Sequence, residues 1–207
     1  MIIQGSPEWF HARLGKVTAS RLSDVMTKTK SGYSAARKNY MMELICQKLS
    51  GESEQSFVSQ AMQRGTDLEP IARSVYEAKN GLFVDECGFY DHPTESGFGA
   101  SPDGLVGDNG LIEIKCPNTA THVTFLKSGK PDRKYMLQMH GQMLCTGRNW
   151  CDFVSYDDRL KGLEYRCVRI ERSKELSNEI ILEVSKFLNE MEIELQTINK
   201  LRKESAA

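Results

Sequence analysis

The chain has 207 residues, of which 40% are hydrophobic and 27% charged, enough for one well-cored α/β domain over residues 1–207 and short for two. A formal net charge of −1 excludes a surface that attracts nucleic acid everywhere, so such a partner would need a local basic patch or an enclosed channel. Six cysteines without a Cys-x-x-Cys or a partnering histidine spacing argue against zinc and disulfide scaffolds, and the absence of a signal-peptide layout or membrane-length apolar run predicts a cytosolic protein with reduced thiols.

Ser6-Pro7-Glu8 marks a helix start, with Ser6 as N-cap, proline in the first helical position and an acid in the first turn. This helix carries Trp9, Phe10 and Arg13. After Gly15, Thr18-Ala19-Ser20 opens a second short helix running to about Met26, so Arg13 and Ser20 bracket a turn at a helix N-terminus. Backbone N–H groups, a hydroxyl and a guanidinium suit an anion there, although a capping serine and a surface arginine explain the same residues more simply. Lys28-Thr29-Lys30-Ser31-Gly32 reads as a basic solvated loop that could also follow a phosphate backbone.

Ser34 caps a helix with apolar Tyr40, Met41, Leu44, Ile45 and Leu49, closed by Gly51. Ala61 to Lys79 is a further helix burying Met62, Leu68, Ala72, Val75 and Tyr76, with Glu69 at the edge of that stripe. Leu82 to Tyr90 and Gly97 to Ser101 read as strands. Asn118 to Lys134, rich in Lys and Gly, reads as a polar, substrate-facing loop. Tyr135 to Cys145 is a helix carrying Gln138, His140 and Gln142. Trp150 to Tyr156 and Leu163 to Ile170 alternate as a strand pair around Asp157-Asp158-Arg159. The long helix Lys174 to Lys203 repeats Ile181, Val184, Leu188, Met191, Leu195 and Ile198, a seam expected against its own sheet in preference to another subunit. This order predicts a central mixed β-sheet flanked by α-helices.

The most informative stretch is Gly99 to Pro117. Asp108-Asn109-Gly110 is a turn signal and Leu111 to Cys116 alternates apolar and polar, so the segment reads as a hairpin whose second strand carries Glu113 and Lys115 on one face. Ile112 and Ile114 then point into the core, and the turn brings Asp103 alongside. Two carboxylates and an ammonium suit phosphodiester cleavage with Mg²⁺, which takes oxygen ligands. Enzymes lower barriers by ~8–23 kcal/mol, whereas general acid–base help supplies only about 10²–10⁴-fold. Lys115 alone is therefore too little, and a metal must carry most of the work. On these residues alone, a solvated hairpin with a surface ion pair stands at even odds with a catalytic site.

Further blocks decide between them. Arg13-Leu14-Gly15-x-x-Thr18-Ala19-Ser20, Gly65-x-x-x-Glu69, Ser101-Pro102-Asp103-Gly104-Leu105, Glu113-Ile114-Lys115-Cys116-Pro117 and Tyr135-Met136-x-Gln138, in this order, resemble the phage lambda exonuclease and YqaJ-like viral recombinase family. The resemblance runs from about Trp9 into the C-terminal helix. It implies a restriction-endonuclease-like core and a processive 5′→3′ exonuclease on linear double-stranded DNA. The implied cofactor is Mg²⁺, as two ions and with Mn²⁺ as a substitute. The implied assembly is a toroidal homotrimer of phage or prophage origin, working in the bacterial cytoplasm with a single-strand annealing protein.

By matched position, the resemblance makes Asp103, Glu113 and the Ile114 carbonyl metal ligands and places Glu69 at a second ion or its water. Lys115 positions or activates the attacking water, with Gln138 in support. Arg13, Ser20 and Ser101 hold a terminal 5′-phosphate. Trp9 matches a residue near the point where the strands part, and a buried tryptophan explains it equally well. The family often has Gln-x-Gln in the later helix where this chain has Gln138-Met139-His140, which leaves His140 without a role. Alternatives are an endonuclease or junction resolvase on the same core, and an inert DNA-binding module, against which the intact Glu69, Asp103, Glu113 and Lys115 count.

Overall fold

The computed structural model describes residues 2–53 and 59–204, except for the side chain of Lys203. Helix α1 (Pro7–Arg13) begins as its sequence predicts, with the Ser6 hydroxyl accepting from the Trp9 backbone N–H. Strand β1 (Val17–Thr18) runs through a 3₁₀ turn, Ala19–Arg21, into α2 (Leu22–Met26). The basic segment that follows is solvated as expected, with Lys28 to Gly32 all exposed, but it is not a plain loop. It forms a hairpin of β2 (Lys28–Thr29) and β3 (Gly32–Tyr33), because Lys28 and Tyr33 both bind the carboxylate of Glu183, which is too buried to stay charged without partners.

Helix α3 (Ala35–Ser50) stops at Gly51, which takes the left-handed conformation. Its Tyr40, Leu44 and Ile45 are buried, whereas Leu49 lies 43% exposed. In α4 (Gln60–Asn80), Leu68, Ala72 and Tyr76 form the buried stripe, and Met62 in the first turn is exposed. The strand expected over residues 82–90 is reduced to β4 (Val84–Asp85) and β5 (Tyr90–Asp91), which belong to different sheets.

The rest of the frame is β6 (Phe98–Ala100), β7 (Gly104–Val106), β8 (Gly110–Lys115), α5 (Thr119–Ser128), α6 (Arg133–Thr146), β9 (Trp150–Tyr156), β10 (Tyr165–Glu171) and α7 (Lys174–Glu204). Helix α5 occupies the segment read as a loop. Its Thr and Val residues are weak helix formers, but the Asn118 side chain caps the Thr121 N–H, Gly129 closes the other end, and burial of His122 and Phe125 supplies the tertiary support.

The main sheet is five-stranded in the order β10-β9-β8-β7-β4, and a second, three-stranded sheet runs β1-β6-β5. Among the described residues only β8 and β9 pair in parallel in the main sheet, with Lys115 opposite Ser155 at the carboxyl end. The β7–β8 hairpin pairs Gly104 with Ile112, and its turn is made by Gly107 at φ +53°. Strand β8 is central and covered on both faces. Ile112 and Ile114 pack with Leu68, Ala72 and Tyr76 of α4, while Leu111 packs with Phe125, Met139 and Met143 of α5 and α6. Burial of such side chains is worth ~1.5–3 kcal/mol each, so the strand that carries Glu113 and Lys115 is among the best-anchored in the chain.

Helix α6 links the two halves of the structure. Gly141 lets it approach so closely that a Cβ there would lie 2.6 Å from Leu22 and 2.9 Å from Ala19. Helix α7 packs on its own chain as expected, mainly against α2, α3 and α6, in a core cluster shared with Val17, Phe98 and Ala100 of the three-stranded sheet. Its buried seam is Ile180, Val184, Phe187, Met191 and Leu195, with Ile181 only half-buried. The six cysteines are all free thiols. No helix among the described residues is long and apolar enough to cross a membrane.

Candidate active site

The carboxyl end of β8 gathers the acidic motif. Asp103, just before β7, accepts the Ile114 backbone N–H on Oδ2 at 2.6 Å, so the hairpin closes on its own aspartate. Glu113 is fully buried and makes an ion pair with Lys115, which keeps 28% of its side chain exposed. Gln142 of α6, also without exposure, donates from Nε2 to Glu113 Oε2 at 2.6 Å. Glu69 of α4 lies beside this group and is held by Arg73 one turn on, at 3.4 Å. Arg73 also reaches the Asp103 carbonyl at 3.3 Å and pairs with Glu86.

The electrostatics follow from crowding acids in a poorly solvated place. Burial, and then the neighbouring Glu113, hold the Asp103 carboxyl well above the ordinary aspartate range. Burial likewise raises Glu69, with Glu113 adding to it and Arg73 and Lys115 opposing it. Burial works against the Lys115 ammonium, but Glu113 and Asp103 outweigh that and hold its pKa above that of an ordinary lysine. Lys115 is therefore a cation at neutral pH, suited to orienting water and stabilising negative charge more than to removing a proton.

The donor set of Asp103, Glu113, Glu69 and the Ile114 carbonyl is entirely oxygen, which fits a hard divalent cation in kind. Among the described residues no three His, Cys, Asp or Glu side chains are already drawn together as a ligand cage. Glu113 is instead turned to Lys115 and Gln142, and Asp103 to Ile114. The ammonium of Lys115 here supplies the positive charge that the acids require.

A second group lies on the β7 side. β1 and β6 pair in parallel, with Thr18 opposite Gly99, so Ser20 and Ser101 leave adjacent strands at the same end. Trp9 donates from Nε1 to Ser101 Oγ at 2.8 Å, Arg13 reaches the same oxygen at 3.4 Å, and the Arg13 guanidinium lies 3.9 Å over the Trp9 ring. Trp9 is thus half-buried and hydrogen-bonded. Arg13 has no carboxylate partner among the described residues, and burial lowers its pKa. Ser20 is exposed, and its hydroxyl lies 3.3 Å from that of Thr18.

Gln138 is half-buried on α6, one turn before Gln142, and makes no side-chain hydrogen bond among the described residues. Sequence reasoning offers Gln142 as a replacement for the second family glutamine but discounts it for facing another direction, and the structure shows that it is the one that meets Glu113. It faces away from the position of His140, but its i+4 spacing from Gln138 puts the two glutamines on one helix face, and that spacing was the available signal. His140 is turned elsewhere: Nδ1 meets the Met136 carbonyl at 2.8 Å and Nε2 accepts the Ser173 N–H at 3.1 Å, at the start of α7.

A strand end that brings acids and a lysine together inside a mixed, helix-flanked sheet is suited to phosphodiester cleavage. Residues 8–149 match the YqaJ-like viral recombinase domain, and the chain belongs to that family. It is 58% identical to the alkaline exonuclease LHK-Exo of Laribacter hongkongensis, over 96% of this chain and 99% of that one, with a TM-score of 0.91. LHK-Exo in complex with dAMP matches equally well, at 58% identity, the same coverage and a TM-score of 0.91. A phage-related exonuclease from Haemophilus somnus 129PT shares the fold at 19% identity, with a TM-score of 0.68 over 90% of this chain and 96% of that one. No curated protein matches the chain significantly. The family and the closely similar exonuclease support an exonuclease role for this chain.

Proposed function

We propose that the protein is a Mg²⁺-dependent, processive 5′→3′ exonuclease on linear double-stranded DNA that prefers 5′-phosphorylated ends. Its 3′ tails would pass to a single-strand annealing protein in recombination of the phage type, and the working form would be a ring-shaped homotrimer in the bacterial cytoplasm. The observation that carries this reading is the position of the Arg13–Ser101 pair, a cation without a carboxylate partner among the described residues, next to the Asp103–Glu113–Lys115 group. Support comes from the similarity to an alkaline exonuclease whose structure was also determined with dAMP, a mononucleotide.

Asp103, Glu113, Glu69 and the Ile114 carbonyl would hold Mg²⁺ as one or two ions, with Mn²⁺ able to replace it. When bound, the metal neutralises phosphoryl charge and makes water a better nucleophile. The residues of the chain do the rest. Gln142 fixes the direction of Glu113, and Lys115 orients the attacking water and faces the charge that develops on the phosphoryl oxygens. Arg13, Ser20 and Ser101 receive the terminal phosphate, with Trp9 backing the guanidinium near the parting strands. Gln138 supports the substrate side.

The test is digestion of linear duplex DNA labelled at the 5′ or the 3′ end, against a closed circle, with and without Mg²⁺. Mg²⁺-dependent loss of 5′ label with an intact circle is expected. Cutting of the circle would move the assignment to an endonuclease, and binding without cutting would move it to an inert module.

A further inference from the structure

A cavity of about 360 Å³ opens on the other side of Lys115. Its floor is Phe153 and Ser155 of β9, one wall is α5 with Thr121 and Thr124, and Tyr135 of α6 stands opposite. We propose that this cavity receives the base and sugar of the second nucleotide of the cleaved strand, the one immediately beyond the scissile phosphate. The inference rests on the 5′→3′ exonuclease reading above.

Sheet order carries the argument. Lys115 ends β8, whose neighbours are β7 on one side and β9 on the other. Asp103 and Ser101 precede β7, and Ser155 lies opposite Lys115 on β9. The Arg13–Ser101 pair and the cavity therefore flank the acidic group from opposite sides. A strand with its 5′-phosphate at Arg13 lays its first nucleotide toward β7 and its scissile phosphate over Asp103 and Glu113. The next nucleoside then falls toward β9, where the cavity is.

The lining suits a base of any identity. Tyr135, Phe125 and Phe153 form a continuous aromatic group, with ring centroids 5.3 Å apart for Tyr135–Phe153 and 5.1 Å for Phe125–Phe153. The Thr121 hydroxyl can turn to donate or accept at different base edges, while the Thr124 hydroxyl donates to the Ala120 carbonyl at 2.9 Å and keeps its lone pairs as acceptors. Lys130 at the rim makes no ion pair among the described residues and can meet the following phosphate. The volume falls within the range of small-ligand pockets, ~300–1,000 Å³. Seating the second base there would hold the scissile bond still during cutting, with Tyr135, the one of these three rings that is not buried, offering the face on which a base of any identity can stack.

The experiment measures the first cut, under single-turnover conditions with Mg²⁺, on 5′-phosphorylated duplexes that carry an abasic residue at position one, position two or nowhere. The expected result is that an abasic second position slows the first cut about tenfold, the worth of one base–aromatic contact, while an abasic first position has a much smaller effect. Thr124→Trp, which fills the cavity from an exposed helix position, should slow the intact substrate to the same degree and abolish the distinction between substrates. Equal rates on all three duplexes would overturn the proposal while leaving the exonuclease reading standing. So would inhibition by free deoxynucleoside monophosphate that disappears in Thr124→Trp without any abasic effect, since the cavity would then hold released product. Failure of the exonuclease reading itself would be recognised separately, as loss of label from the 3′ end or cutting of closed circles.

Discussion

Gln142 and Glu113 meet in the interior, amide to carboxylate at 2.6 Å, with neither side chain exposed. An ionised carboxylate only accepts hydrogen bonds, so the amide must present its nitrogen, and this fixes which way Glu113 can turn. The residue that aims the buried acid thus comes from a helix distant in sequence from the acidic motif.

Gln142→Leu keeps the volume and removes the donor. We expect cleavage to fall ~10–100-fold, the usual effect of losing an outer-shell partner, with the Mg²⁺ concentration for half-maximal rate rising in parallel. A titration of initial rate against Mg²⁺ separates this from simple unfolding. An unchanged Mg²⁺ midpoint would show that Glu113 does not depend on its glutamine.

Lys115→Ala should abolish cleavage and leave binding to duplex ends largely intact, because Asp103, Glu113 and Glu69 all remain. The Glu113 and Asp103 carboxylates, which hold Lys115 in its charged form, would then lack their nearest cation. End binding is read by fluorescence anisotropy in Ca²⁺, and cutting by gel. Turnover at the parent rate would remove the lysine from the mechanism.

Arg13→Ala removes the cation from the group formed with Ser101 and Trp9. Hydrogen bonds to charged groups are worth ~1.5–3 kcal/mol, so the preference for 5′-phosphate over 5′-hydroxyl ends should shrink by about 10–100-fold. Rates on the two ends, measured side by side, give the ratio. A ratio that survives the substitution would place the phosphate pocket elsewhere.

Much of this site was legible because its chemistry follows strand periodicity. Glu113 and Lys115 are two apart on β8, and the hairpin turn returns Asp103 to the Ile114 N–H, both as the alternation and the Asp-Asn-Gly signal required. The helix from Thr119 to Ser128 was not legible from composition, since its residues favour it little. Its evidence was the pairing of an Asn118 cap with a Gly129 stop, and its stability comes from His122 and Phe125, whose burial only the assembled sheet provides. Lys28 to Gly32 are solvated as their composition requires, but the strand pairing of the Lys28–Tyr33 segment was not legible for a similar reason: what makes it a structural element is Glu183, far away in α7. Leu49 and Met62 matched their apolar stripes and still face solvent, because each lies near a helix end beyond the reach of the core.

His140, the departure from the family pattern, has a structural account that makes its own prediction. Its Nε2 accepts the Ser173 N–H at the start of α7, which requires the neutral ring with the proton on Nδ1, facing the Met136 carbonyl. Burial lowers its pKa below the ordinary histidine value. Because the folded state binds this proton less readily than the unfolded one, its contribution is complete above about pH 6.5 and is lost as pH falls through the lowered folded-state pKa. Thermal stability should therefore decline between neutral pH and about pH 5 in the parent protein. His140→Ala should cost roughly 1–3 kcal/mol at pH 7.5, by leaving the Ser173 N–H without its acceptor, and should flatten that decline. Melting curves of both proteins across the pH range provide the check, and an equally steep decline in the variant would assign the acid sensitivity to other groups.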